Sequence, residues 1–279
     1  FALSPQDAER VIRLVATHRG REATTLSPIV SAELPMHGER FEGVLPPLTE
    51  APTFSIRKPA SRIYSLDDYV AQGVMSDHTA CVLREGIERR LNTLVVGGTG
   101  SGKTTLVNAL LAEVAKTKDR IFILEDTREL KCAAEDAVHM RTEAGVASLR
   151  DLVRSALRQH PKRIIVGEVR GGEALDMLKA WNTGHPGGIA TLHANSALGG
   201  LYRLEQLIGE VTQTVPHDLI AETVHRIVFI SSDERGRRVD AVSHLSGFTL
   251  DGYALEPVTA GLELVASDHH SSKPERITP

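Results

Sequence analysis

Aromatic side chains are scarce: six Phe, four Tyr and one Trp make up 4% of 279 residues. A base-stacking platform for single-stranded nucleic acid needs more. Positive charge is not in excess either. Lys and Arg total 32 against 36 Asp and Glu, a formal net charge of −4 at pH 7. The electrostatic footprint of a duplex-binding domain is absent, so direct DNA binding is not supported by charge. Neither point bears on nucleic acid passing through the pore of an oligomer. Cysteine is limited to Cys81 and Cys132, with no CxxC pair and no disulfide framework, which suits a reducing cytoplasm. The longest apolar-leaning runs, Leu91–Val96 and Ile227–Ile230, are far too short to span a bilayer. No signal peptide is visible; with Phe1 instead of Met at the start, further residues upstream are an expectation.

What is present is 41% apolar residues, enough for one large core or two smaller ones. Residues 1–58 read as a small α+β domain. Ser4-Pro5 starts a helix with Val11, Ile12, Leu14 and Val15 on its apolar face, and Gly20 stops it. "PIVSAEL", "RFEGVLP" and "FSIRK" then read as strands of an antiparallel sheet, separated by turn residues. Residues 59–74 read as a linker in which Ser65 caps a short helix. Beyond residue 75 helices alternate with apolar strands: helix 77–90, strand 93–96, helix 103–116, strand 121–125, helix 148–159, strand 163–167. This predicts an α/β unit over 75–265 with a mostly parallel sheet. The polar tail 266–279 has little to bury and is expected to be disordered.

"LVVGGTGSGKTTLVNALL" carries the strongest signal. Gly97 to Thr104 fit G-x-x-x-x-G-K-[ST], between a strand and a helix. Glycines let backbone N–H groups curl around phosphate oxygens, and the helix start adds favourable partial charge. The expected nucleotide-binding residues are Gly98, Thr99, Gly100, Ser101, Gly102, Lys103, Thr104 and Thr105. Lys103 would reach the β- and γ-phosphates, and the Thr104 hydroxyl would ligate Mg²⁺. A chance match in a chain of this length is about a 1% event, so a bland Gly-rich turn is the poorer reading.

Hydrolysis needs a metal-organising acid and a group that orients water. "IFILEDTREL" puts Glu125 and Asp126 at one strand end, with Glu129 a turn later, and "RIIVGEVRGG" puts Glu168 at another, followed by Arg170. Ligands of open α/β sheets bind at the carboxyl ends of strands. Either acid alone fits a solvated turn equally well; the two together favour a site. Glu168 is expected behind Mg²⁺, through water, and Glu125 is expected to polarise the attacking water, with Glu129 as the alternative.

"GGTGSGKTT", "ILEDTREL", "IIVGEVRGGEALDMLKAWNTGHPGG" and "ATLHANS" resemble the four motifs of the traffic ATPases of type II and type IV secretion systems. The likeness covers about residues 40–230 and is strongest to the conjugal-transfer branch. It implies a RecA-like P-loop NTPase domain behind a small α+β domain, assembled as a homo-hexamer. It further implies ATP hydrolysis to ADP and phosphate with Mg²⁺. The partners implied are other components of a conjugative or type IV secretion machine, with peripheral association at the cytoplasmic face of the bacterial inner membrane. In that family N-terminal arginines reach the nucleotide's phosphates, and Arg40 and Arg57 stand at matching places. Read without the family they are solvated strand-end charges. Arg150, Arg154 and Arg158 read as a solvated or interface-lining face. The chain departs from some relatives in having no four-cysteine zinc module and a smaller N-terminal domain.

Other functions stay open at this point: a pilus assembly or retraction ATPase, a RecA-like nucleic-acid motor, or a non-enzymatic nucleotide-binding scaffold. In "NTGHPGGIATLHANS", zinc ligation by His185 and His193 lacks partners at recognised spacing. His193 ends a strand near the expected γ-phosphate and reads as a sensor. His185 precedes that strand; it is grouped with Arg40, Glu129 and Arg170 as a possible phosphate contact or sensor, though a simple structural hydrogen bond or a contact with a neighbouring subunit fits it as well.

Overall fold

A computed structural model describes residues 3–35, 38–58 and 62–258. The expected tail 266–279, residues 259–265 and the linker residues 59–61 lie outside them. Helix α1 (Pro5–His18) begins where Ser4 Oγ accepts the Asp7 amide, with Pro5 in the first turn. Its Ile12 and Ala16 pack on a three-stranded antiparallel sheet of order β1 (Ile29–Glu33), β2 (Arg40–Val44), β3 (Thr53–Arg57). Phe41 fills that small core, and its ring stacks on Phe54 at 5.4 Å. The register sets Arg40 opposite Arg57.

Helix α2 (Leu66–Ala71) opens with a reciprocal cap between Ser65 and Asp68. Although it falls in the segment read as a linker, its Leu66 and Tyr69 are buried in the core of the larger unit, beside helix α3 (Asp77–Glu88). That unit continues as β4 (Thr93–Gly97), α4 (Lys103–Val114), β5 (Ile121–Glu125), β6 (Ala137–Arg141), α5 (Leu149–Leu157) and β7 (Arg163–Val166). Next come α6 (Glu173–Asn182), β8 (Ile189–His193), α7 (Ala197–Gly209) and α8 (His217–Thr223). Strands β9 (Arg226–Asp233), β10 (Gly236–Thr249) and β11 (Gly252–Pro257) complete it.

The eight strands form one sheet of order β11-β10-β9-β4-β8-β7-β5-β6. From β9 to β6 neighbours run parallel, while β10 and β11 extend the β9 edge antiparallel. Parallel strands covered on both faces carry continuous apolar runs. Along β5, Phe122 and Leu124 enter the core under α5 and α6, while Ile121 and Ile123 enter the one under α3 and α4. The alternation of helices and apolar runs predicted this centre. It did not predict β6, a half-buried edge strand, or the β9–β11 extension.

Trp181 closes the core beneath β7. It is 2% exposed, and its Nε1 donates to the Ile164 carbonyl at 3.0 Å. No helix among the described residues is long and apolar enough to cross a membrane.

Candidate functional site

The loop from β4 to α4 turns on glycines for separable reasons. A Cβ on Gly97 would lie 2.2 Å from the Ile230 carbonyl oxygen, so only glycine passes there. Gly100 and Gly102 have φ of +75° and +99°, a left-handed region that side chains resist. Gly98 meets nothing within 4 Å, which leaves room for a ligand beside its backbone. Lys103 is the first residue of α4 and is buried. Its ammonium donates to the carbonyls of Gly97 and Gly98, both at 2.8 Å, and stands 3.4 Å from His193 Nδ1. Burial lowers its pKa, while Glu168 works against the shift. Thr104 and Thr105 line the cleft above the loop, and Ser101 is buried beneath it with no partner for its hydroxyl.

Neighbouring strands of a parallel sheet present their carboxyl ends side by side, so β8, β7 and β5 bring His193, Glu168 and Glu125 to one wall of this cleft. Glu125 is 3% exposed, and one oxygen accepts the amides of Glu129 and Leu130 at 2.9 and 2.8 Å. Burial pushes its carboxyl from an ordinary 4.5 up to about 7, although those two amides oppose the rise. Gly167 gives it passage, because a Cβ there would lie 2.8 Å from Glu125 Cγ.

Glu168 binds the Arg170 guanidinium through Oε2. Its Oε1 lies 2.7 Å from His193 Nε2, off hydrogen-bonding geometry, and is a buried acceptor without a hydrogen bond. Burial, then Lys103, lowers the His193 pKa. A neutral imidazole therefore offers its Nδ1 lone pair to Lys103 and carries its proton on Nε2, facing Glu168. Hydroxyl and carboxylate oxygens suit a hard divalent cation. The Thr104 hydroxyl and the Glu168 carboxylate are such ligands, so the residues present fit Mg²⁺.

The small N-terminal sheet supplies the facing wall. Arg40 and Arg57 line the same cleft, and Arg57 reaches Glu129 at 3.5 Å. Like charges directly opposite on paired strands are unfavourable, and an anion between them removes that cost. Glu125 and Glu129 thus differ: one is buried beneath the loop, the other is half-exposed and paired across the two units. Arg170 also lines the cleft, held between Glu168 and Asp126.

Among the charged and histidine candidates for catalysis or phosphate contact, His185 alone stays outside this cleft. It lies before the amino end of β8, where Nδ1 is 2.8 Å from the Pro161 carbonyl oxygen. Three polar lining side chains were missed in the sequence: Thr127, Thr191 and Arg237. Thr191 is hidden in an apolar strand, where its hydroxyl donates to the Gly167 carbonyl at 2.6 Å. Arg237 comes from the β9–β10 hairpin, signalled only by the turn in "SSDERGRRVD". Counted with its open mouth, the cleft encloses about 910 Å³.

A family model described as "Type II/IV secretion system protein" matches residues 28–232. The conjugal transfer protein TrbB of Rhizobium radiobacter is 50% identical over 91% of this chain and 79% of its own length. The type IV secretion system protein VirB11 of Bartonella henselae is 34% identical over 75% of this chain and 69% of its own. Among solved structures, the VirB11 ATPase of the Brucella suis type IV secretion system is 28% identical and superposes with a TM-score of 0.56. That likeness covers 83% of this chain and 78% of that one.

Proposed function

The chain belongs to the type II/IV secretion system protein family, and on that footing we propose that it is a motor ATPase of conjugative type IV secretion, working as a homo-hexamer. It hydrolyses ATP to ADP and phosphate with Mg²⁺, together with other components of the secretion machine, at the cytoplasmic face of the bacterial inner membrane. One observation carries the reading: a phosphate loop, two strand-end acids and two arginines from a separate unit all line one cleft. The 50% identity to TrbB favours conjugative transfer over the pilus assembly or retraction reading. The net charge of −4 weighs against a motor that grips nucleic acid directly.

In this mechanism the loop amides and the α4 terminus bind the phosphate chain, and Lys103 leaves the Gly97 and Gly98 carbonyls for the β- and γ-phosphates. Thr104 and, through water, Glu168 would hold Mg²⁺, which would supply positive charge to the phosphate chain. Glu125, as carboxylate, orients the attacking water. Arg57 and Arg40 meet the charge that develops on the transferring phosphoryl group. They belong to the N-terminal unit, so loss of the γ-phosphate loosens that unit's hold on the cleft and links chemistry to movement. His193, between Lys103 and Glu168, reports the same loss to its strand end.

The experiment is solution mass with and without ATP, measured beside the ATPase rate of the wild type and of Lys103→Ala. A nucleotide-responsive hexamer whose turnover vanishes in the variant is expected. A monomer without turnover, or a fully active variant, would overturn the reading.

A further inference from the structure

The β9–β10 hairpin carries a cation that neither the phosphate loop nor the N-terminal arginines account for. Arg237, the second residue of β10, reaches back over the loop: a Cβ built on Gly102 would lie 3.0 Å from its Cδ and 3.2 Å from its Nε. The side chain lines the nucleotide cleft with Thr99, Gly100 and Lys103. Among the described residues no carboxylate or carbonyl receives its guanidinium. Its neighbour Arg238 points to the other face of the strand, where it pairs with Asp233 and Asp240. Adjacent arginines on one strand are thus treated oppositely, one neutralised and one left open over the cleft.

The backbone that delivers Arg237 is tied at several points. Ile230 of β9 packs against Gly97, the ladder sets Arg237 opposite Ser232, and the Val239 amide donates to the Val74 carbonyl at 2.9 Å. A guanidinium without a counter-ion, fixed beside a turn of backbone amides, is arranged for a polyanion. We propose that Arg237 is a nucleotide-positioning residue that binds the phosphate chain from the same subunit, on the side of the loop away from the N-terminal arginines. This rests on the ATPase reading above. It goes beyond it in assigning the antiparallel extension of the sheet a part in holding nucleotide. Because β10 is anchored within its own unit, the contact persists when the N-terminal unit moves, so Arg237 retains ADP as well as ATP.

The test is binding of a fluorescent ADP analogue, with steady-state ATP and GTP hydrolysis, for wild type, Arg237→Ala, Arg237→Lys and Arg238→Ala. Loss of one charge-assisted hydrogen bond in an open cleft predicts about tenfold weaker ADP binding for Arg237→Ala. It also predicts a comparable rise in KM, with kcat changed by less than about threefold. Arg237→Lys recovers part of the loss, and Arg238→Ala binds as wild type. Unchanged ADP affinity in a folded Arg237→Ala protein overturns the assignment. So does a loss confined to kcat, or a change in the ATP-to-GTP preference, which would mark a base contact. If the wild type itself neither binds ADP nor turns over, the ATPase reading fails first.

Discussion

Replacing Glu125 by Gln sets stability against catalysis in a direction the structure dictates. The carboxyl is buried and its proton affinity raised, from an ordinary 4.5 to about 7. That is a factor of about 300 in proton affinity, or about 3 kcal/mol at 25 °C. For an acid with a raised folded-state pKa, the folded protein holds a proton that the unfolded chain has released. Its stabilising contribution is fully present below about pH 4.5 and is lost as pH rises through about 7. Nucleotide-free wild type should therefore lose about 3 kcal/mol of unfolding free energy between pH 4.5 and 8 from this group alone. Gln keeps an oxygen to accept the Glu129 and Leu130 amides and carries no charge to bury. Glu125→Gln should then be the more stable protein at pH 8, by up to about 3 kcal/mol, and within about 1 kcal/mol of wild type at pH 5. Its ATPase rate should fall at least about a hundredfold, since a neutral amide orients water poorly. Wild-type turnover should rise with pH around 7 as the carboxylate forms. Urea unfolding followed by the single tryptophan, buried Trp181, measures the stability half at each pH. A variant less stable than wild type at pH 8, or a wild type equally stable at pH 5 and 8, would refute the burial argument.

Three further outcomes follow from geometry. Arg57→Ala should lower kcat by about ten- to a hundredfold and weaken ATP binding far less, because a cation facing transferring charge acts on rate; loss of the N-terminal fold with normal turnover per folded molecule would make Arg57 structural. Gly167→Ala puts a Cβ 2.8 Å from Glu125 Cγ, so turnover should drop about tenfold or more with ADP affinity within about twofold, and unchanged kcat would mean that Glu125 need not stay in place. Gly188→Ala puts a Cβ 2.0 Å from Trp181 Nε1 and should cost about 3 kcal/mol in urea unfolding by expelling the ring from its Ile164 bond; a loss under about 1 kcal/mol would show that the ring has room to shift.

Much of the site was legible before any fold was known. The phosphate loop announces itself because backbone curled around phosphate demands glycine, lysine and hydroxyl at set spacing. Glu125, Glu168 and His193 were legible because each ends an apolar run, and parallel strands present their carboxyl ends together. The helix caps at Ser4 and Ser65 were equally readable, being interactions between residues three apart. Strand β6 escaped because its five residues are all half-buried and show no alternation. Residues 59–61 and 266–279, read as linker and tail, lie outside the described structure.

The sequence by itself determined the loop motif and the layering: where the glycine, lysine and hydroxyl spacing falls, which strands are buried on both faces, and where helices begin. These follow from local rules of spacing and periodicity. Only the tertiary structure decided how distant groups meet. It separated Glu125 from Glu129, one driven into the interior and the other paired with Arg57 from another unit. It put His185 with the Pro161 carbonyl and His193 between Lys103 and Glu168, though the two lie only eight positions apart in one stretch. It also carried Arg237 back over Gly102, more than a hundred residues from the loop it covers. Burial, charge pairing and strand order depend on the whole chain closing on itself, and no short window of sequence contains them.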